Sequence, residues 1–407
     1  MLPERIAFVL TLLLRLFGLW FLVIALFFWK RPKPWPRCAP RTRFACLLPA
    51  RNEEAVIGAA VQSLKDQNYP SALFDIYVLP NNCTDGTEEA ARAAGARILR
   101  CSGPVRNKGD VLHHALSQLL TAEYDAFCVF DADNAMDGAF LARMNDAFQA
   151  GARVAKGRML SKNPYDSWVS GCYALYNGLT EALFNRPRAA LGLSAKLVGT
   201  GFAVHRDLLL KMGGWNTETI AEDAEFSAMC AALGERVWWV PEAITYDEAP
   251  RSFAVSLTQR RRWVSGIMAV CGRKLPLLLR ALPGGSLPRT VDAILFLCVP
   301  FFQAFSLLPP ILLAVSAALR GALPSLLLPS VPALIGSWLC LSLLAAALSR
   351  RLGMDARRSA KTILLFPLFM ASWLPLQVVS LLHPARAWKE IRHGAPPLRQ
   401  SLSAGAR

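Results

Sequence analysis

The sequence predicts an α/β domain, built on a largely parallel sheet, joined to α-helices that belong in lipid. Three observations carry this. Between residues 44 and 250, short apolar runs of strand length alternate with stretches of helical period, and strands so separated pair in parallel through right-handed crossovers. Charged residues cluster between about 30 and 290 while long apolar runs flank them, and 54% of the 407 residues are hydrophobic. The apolar run Phe127–Phe130 stops abruptly at Asp131-Ala132-Asp133-Asn134, placing two carboxylates at the carboxyl end of a buried strand, where open α/β sheets bind ligands.

Taken in order, the first element is Ile6 to Trp29, apolar apart from Arg15 and long enough to cross a hydrocarbon core. No small-X-small cleavage site follows, so it reads as an anchor and not a cleaved leader. Lys30, Arg31, Lys33, Arg37, Arg41 and Arg43 follow it against Arg5 before it, a bias that puts the next domain on the cytoplasmic side of the cell membrane. Pro32, Pro34, Pro36 and Pro40 make residues 31–43 a stiff basic linker.

The expected domain spans 44–250. A strand Phe44–Leu48 leads through a loop holding Glu53 to a helix ending near Leu64. The run Ile76–Leu79 leads through Asp85-Gly86 to a helix Glu88–Ala94, and Ala96–Leu99 is a third strand. After Asp133 come a helix Phe140–Phe148, a strand Arg153–Leu160 and a helix Ser167–Phe184 whose Trp168, Tyr173 and Tyr176 form an aromatic face. Gly199-Thr200-Gly201 is a turn at which backbone can approach a ligand closely. Glu222-Asp223 opens a helix Ala224–Leu233, followed by a strand Val237–Val240. Residues 251–287 hold Gln259-Arg260-Arg261-Arg262-Trp263 and an amphipathic interfacial stretch. Residues 288–384 return to lipid in two to three spans, Val291–Leu319, Leu326–Leu348 and Thr362–Leu382, kinked by prolines and carrying Asp292. A basic tail, 385–407, closes the chain. Arg350, Arg351, Arg357, Arg358 and Lys361 mark one loop as cytoplasmic, yet Arg386, Lys389, Arg392, Arg399 and Arg407 claim the same side for the tail, so one segment is re-entrant or the charge rule fails there.

A net charge of +16 suggests nucleic acid or anionic lipid as partner. No nucleic-acid recognition motif is present and the basic residues border apolar runs, which favours membrane lipids. Ten cysteines lie singly from Cys38 to Cys340 without Cys-X-X-Cys, which excludes a zinc finger or disulfide framework. Asp131 and Asp133 are hard oxygen ligands suited to Mg²⁺ or Mn²⁺ holding a diphosphate, although Asp-X-Asp alone also ends strands as a turn.

Pro49 to Glu53, Asn82 to Gly86, Asn107-Lys108-Gly109 and Asp131-Ala132-Asp133, in that order, resemble the nucleotide-binding half of a family 2, GT-A glycosyltransferase. The resemblance implies a Rossmann-like mixed sheet binding a UDP-sugar with Mg²⁺ or Mn²⁺. It implies that Glu53 and Asp85 contact the uridine, that Lys108 lies near it or the diphosphate, and that Asp131 and Asp133 hold ribose and metal. Ile220-Ala221-Glu222-Asp223 is similar to the family's Thr-Glu-Asp with alanine for threonine, which makes Asp223 the general base and Glu222 its support. Gly199, Thr200 and Gly201 then border donor sugar and acceptor. Gln259, Arg262 and Trp263 resemble the Gln-X-X-Arg-Trp signature of membrane-bound cellulose, chitin, hyaluronan and poly-N-acetylglucosamine synthases. There Arg262 would partner the diphosphate, Trp263 would stack on the acceptor sugar and Gln259 would position it. The expected activity is inverting extension of a β-linked exopolysaccharide by a multi-pass membrane protein working with export or accessory proteins. The alternatives are single addition to a lipid, as in ceramide glucosyltransferases, and a non-catalytic scaffold or transporter.

Overall fold

The computed structural model describes residues 2–284 and 286–385. Its centre is an eight-stranded sheet of β1 (Phe44–Ala50), β2 (Phe74–Pro80), β3 (Arg97–Ile98), β4 (Ala126–Val129), β5 (Ala135–Met136), β6 (Val154–Ser161), β7 (Phe202–His205) and β8 (Val237–Asp247), in the order β3-β2-β1-β4-β7-β6-β8-β5. Strands β3, β2, β1 and β4 are parallel, as alternation with helices requires. The sheet is mixed because β7 runs antiparallel between β4 and β6, while β6 and β8 are again parallel. Two reversals across β7 restore direction, so β1, β2, β4, β6 and β8 all end at one rim.

Apolar residues from both faces of the strands form two layers of core. One buries Ile57, Val61 and Leu64 of the Glu54–Lys65 helix with Leu141 and Met144 of the Phe140–Gln149 helix. The other buries Leu112 and Leu116 of the Lys108–Leu119 helix against Phe202, Trp215 and Phe226. The β6–β8 pairing shifts register between Gly157 and Arg158, and a Cβ on Gly157 would collide with the Ala243 carbonyl, so only glycine permits that approach. Strand β8 thereby runs on well past the expected Val240 and delivers Asp247 to the common rim.

The linker is strapped to the domain. Trp35 Nε1 donates to the Trp239 carbonyl at 3.2 Å, and Arg37 and the Cys38 amide reach the Asp146 carboxylate at 3.2 and 2.9 Å. Buried Asn145 accepts from the Thr42 amide at 3.1 Å.

Among the described residues, four helices are long and apolar enough to cross a membrane: Leu2–Ala25, Leu287–Leu319, Leu323–Arg351 and Ala356–Leu382. The second is interrupted after Phe305, where Pro309 and Pro310 remove the amides that would bond back to residues 305 and 306, and the fourth is interrupted at Ser372 before Pro375. The expected interfacial stretch is one continuous helix, Phe253–Ala281, packed by Val270, Cys271 and Leu278 against alanines of the Glu222–Ala232 helix and against Leu297. Asp292 lies buried in the second membrane helix, bound to Arg188 at 2.8 and 2.9 Å and to the Trp20 indole at 2.9 Å. The basic residues of the tail, Arg386 to Arg407, lie outside the described residues.

Candidate active site

The common rim of the sheet opens into a cleft of about 540 Å³ that extends from the strand ends into the membrane helices. Local backbone builds the rim. Asn52 and Asn82, just past β1 and β2, adopt left-handed φ of 57° and 51°, a conformation asparagine tolerates, and the Asn52 side chain accepts from the Thr84 amide at 2.8 Å, tying the first two loops together. Asn107 caps the Lys108–Leu119 helix by accepting from the Asp110 amide at 3.0 Å. Gly109 lies so close to Thr217 that any side chain would clash, which brings this helix start against Glu222.

The cleft gathers Glu53, Lys108, Asp131, Asp133, Gly199 and Thr200 with Glu222, Asp223, Gln259, Arg262 and Trp263. Asp85 and Gly201 do not line it. The Asp85 carboxylate instead accepts from the Thr87 hydroxyl at 2.5 Å, the Glu54 amide at 3.2 Å and the Thr87 amide at 3.1 Å; burial works to raise its pKa, and these bonds, the hydroxyl first, outweigh it and hold the carboxyl below its usual value. Gly201, at φ 62°, donates its amide to the Val129 carbonyl at 2.8 Å, and its carbonyl accepts from the Gly157 amide at 2.9 Å behind the wall.

Lys108 joins the two halves of the site, its ammonium donating to Asp131 Oδ1 and, at 2.6 Å, to the Gly199 carbonyl. Burial opposes its charge, but Asp131 and Glu222 outweigh burial and hold the lysine above its ordinary pKa. The Thr200 hydroxyl accepts from the Asp131 amide at 3.0 Å and donates to Asn134, so it orients the acidic loop. Asn134 in turn donates to Asp247 Oδ1 at 2.9 Å.

Asp247 went unassigned at the sequence level. Burial, with Asp133 and Asp131 adding repulsion, pushes its carboxyl well above the ordinary range. Asp131, Asp133 and Asp247 line the same cleft, and carboxylate oxygens are the donors that Mg²⁺ or Mn²⁺ takes. Among the described residues, no group of three or more His, Cys, Asp or Glu is arranged to hold a metal as it stands. Lysines sit there too: Lys162 donates to the Asp133 carbonyl, and Lys156, 2% exposed, has its pKa lowered by burial to about 8. A lysine within a strand pattern and an acid at the far end of β8 are the signals that would have found them.

On the opposite wall, Glu222 and Asp223 open the Glu222–Ala232 helix. Burial followed by repulsion from Asp223 raises Glu222 to about 7. Burial also raises Asp223, partly offset by the Ala224 amide at 2.7 Å and by Lys108, Lys196 and Arg262. Such a carboxylate is a competent proton acceptor near neutral pH. Ala221 fits a tight contact: a Cβ on Gly266 of the Phe253–Ala281 helix would lie 2.7 Å from the Ala221 Cβ. That close approach brings Arg262 to Asp223. Gln259 accepts from the Tyr173 hydroxyl at 2.9 Å, and Trp263 has one face toward Trp373, centroids 6.5 Å apart.

The family model for glycosyltransferase-like family 2 matches residues 40–266, more than half of the chain. The chain belongs to this family. It is 28% identical over 236 residues to a probable glycosyltransferase, YdaM, of Bacillus subtilis, covering 55% of each chain. It is also 28% identical over 284 residues to a beta-monoglucosyldiacylglycerol synthase of Nostoc, covering 66% of this chain and 58% of that one. To a cellulose synthase catalytic subunit of Pseudomonas fluorescens it is 23% identical over 261 residues, 62% of this chain and 34% of that one. The chain thus spans little more than half the length of the first two relatives. A solved mannosyltransferase from Pyrobaculum calidifontis, in complex with GDP-mannose and Mn²⁺, shares the fold with a TM-score of 0.60 at 20% identity, over 94% of this chain and 99% of that one. The GT-A-type mixed sheet joined to apolar helices is therefore the family 2 architecture expected from the motifs.

Proposed function

We propose that this family 2 protein is a membrane-integrated inverting glycosyltransferase that moves a hexosyl or N-acetylhexosaminyl group from a UDP-sugar to a hydroxyl of a membrane lipid. The observation that carries the proposal is the continuity of one cleft, from Asp131 and Asp133 past Asp223 and Arg262 to walls supplied by membrane-crossing helices. The similarity to glycolipid synthases supports the acceptor class. The basic residues after the first membrane helix favour a cytoplasmic catalytic domain.

Asp223 removes the proton from the acceptor hydroxyl while that oxygen bonds to the anomeric carbon. The bond from that carbon to the diphosphate oxygen breaks on the opposite face, so the configuration inverts and UDP leaves with the electron pair. Arg262 and Lys108 stabilise the charge that develops on the leaving diphosphate. Asp131, Asp133 and Asp247 would hold Mg²⁺ or Mn²⁺, which when bound neutralises diphosphate charge.

A second reading, extension of a β-linked polysaccharide, is favoured by the Gln259, Arg262 and Trp263 signature and by the similarity to cellulose synthases. Membranes containing the protein, given a panel of labelled UDP-sugars, should yield one labelled lipid, and Asp223→Asn should abolish it while UDP binding persists. A high polymer would establish the second reading, and near-normal turnover of Asp223→Asn would remove the assigned base.

A further inference from the structure

Where the sheet domain meets the membrane helices, the chain carries positive charge that the transfer chemistry leaves unused. Residues Glu181–Asn185 form a π-helical turn, a local widening that is frequent at functional sites, between the Trp168–Thr180 and Arg186–Leu191 helices. The Glu181 carboxylate accepts from Arg158 Nε at 2.6 Å and lies 3.7 Å from the Arg186 guanidinium. Two membrane helices end beside this turn. A Cβ on Gly178, just before Glu181, would meet Leu352 at 2.9 Å, which brings Arg351, the last residue of the Leu323–Arg351 helix, alongside. Phe21 of the first membrane helix lies 5.6 Å from the Arg188 guanidinium, and Arg31 follows that helix after Trp29, which is exposed as an aromatic residue at head-group depth would be. Burial holds Arg186 below its ordinary pKa, and Arg351, Arg31 and Arg158 add repulsion that Glu181 partly offsets. Four guanidinium groups, each from a different element, thus gather at one turn with Glu181. Like charges so gathered repel, and the planar guanidinium fork matches phosphate oxygens.

We propose that this turn is a binding site for the phosphate of an anionic lipid in the leaflet beside the catalytic domain, held by Arg31, Arg186 and Arg351 with Arg158 behind them. The source is a lipid and not a soluble phosphate ester, because Arg31 and Arg351 stand at the ends of membrane-crossing helices, at the level of the head groups. A zwitterionic head group is disfavoured, since it brings its own cation among the guanidinium groups. The site is separate from the sugar-transfer groups yet touches their cleft. Arg158, Glu181 and Asn185 line it, and Asn185 Oδ1 accepts from the Lys196 amide at 2.9 Å, so a seated head group braces one wall. The proposal requires the membrane placement of the apolar helices and not the identity of the acceptor.

The test uses the full chain in phosphatidylcholine nanodiscs containing a trace of phosphatidylglycerol with a photoactivatable diazirine in its head group, and it needs no turnover. Cross-links are expected in the Arg186–Leu191 helix and around Leu352, competed by unlabelled phosphatidylglycerol and not by phosphatidylethanolamine at equal mole fraction or by soluble glycerol 3-phosphate. Arg31→Gln and Arg351→Gln, at exposed positions that the fold tolerates, should each weaken that competition about fivefold, the factor that one arginine near an anionic membrane surface contributes. Arg357→Gln combined with Lys361→Gln removes two exposed charges from the next membrane helix and should leave it unchanged. An equal loss in that control would mean diffuse attraction by the whole basic surface and would overturn the proposal. Wild-type competition in both arginine variants, or no cross-link at the turn, would do the same. Competition by glycerol 3-phosphate would overturn the lipid source.

Discussion

Replacing Asp292 by alanine should be among the most damaging single changes outside the catalytic groups. Arg188 and Asp292 are 1% and 4% exposed, so the guanidinium left behind would be an uncompensated buried charge. Breaking a buried pair in that way costs about 3–5 kcal/mol. The Trp20 indole, which also donates to Asp292 at 2.9 Å, loses its acceptor for about 1 kcal/mol more. Contact of the Arg188 guanidinium with the Phe184 ring, 3.4 Å from its centroid, recovers only part of this. Removing both charges together, as Arg188→Met with Asp292→Leu, should return stability to within about 2 kcal/mol of wild type, since apolar replacement spares the desolvation of both ions. The assay is reversible unfolding in mixed micelles followed by far-ultraviolet circular dichroism. A loss below about 1 kcal/mol in Asp292→Ala, or a double variant as unstable as the sum of the singles, would refute the reasoning. Because the Leu287–Phe305 helix carries Val299 and Gln303 into the cleft, Asp292→Ala should also raise the acceptor KM.

Glu222, raised from an ordinary 4.5 to about 7, binds a proton in the folded state that the unfolded chain has already released. Its contribution is therefore fully present below pH about 4.5 and lost as pH rises through about 7, worth at most about 3 kcal/mol, and Glu222→Gln should flatten stability across that window in pH-dependent melting. Gly266→Ala, whose new Cβ would meet Ala221, should cost about 1–3 kcal/mol and lower kcat by moving Arg262 away from Asp223, whereas wild-type kcat would remove that contact from the account. Asp133→Ala and Asp247→Asn should each weaken Mn²⁺ binding in the presence of UDP by tenfold or more, read by calorimetry, and unchanged titrations would remove both residues from the ligand set.

The alternation of apolar runs and helical stretches determined the α/β domain, and hydropathy placed one apolar helix before it and two to three after it, because burial of strands and solvation by lipid are local properties of composition. Loop motifs at strand ends, from Glu53 to Asp133, were legible because parallel strands must end at a common rim. Tertiary structure decided what depended on pairing distant segments. The bulge at Gly157 carries β8 on to Asp247, and the turn of Asp85 back onto Thr87 and Glu54 takes its carboxylate out of the cleft. The meeting of Asp292 with Arg188 and Trp20, and of Gln303 with Gln377, joins residues whose separation in sequence gives no periodic signal. Local patterning encodes which surfaces must be buried; only packing selects the partners that satisfy the polar groups buried with them.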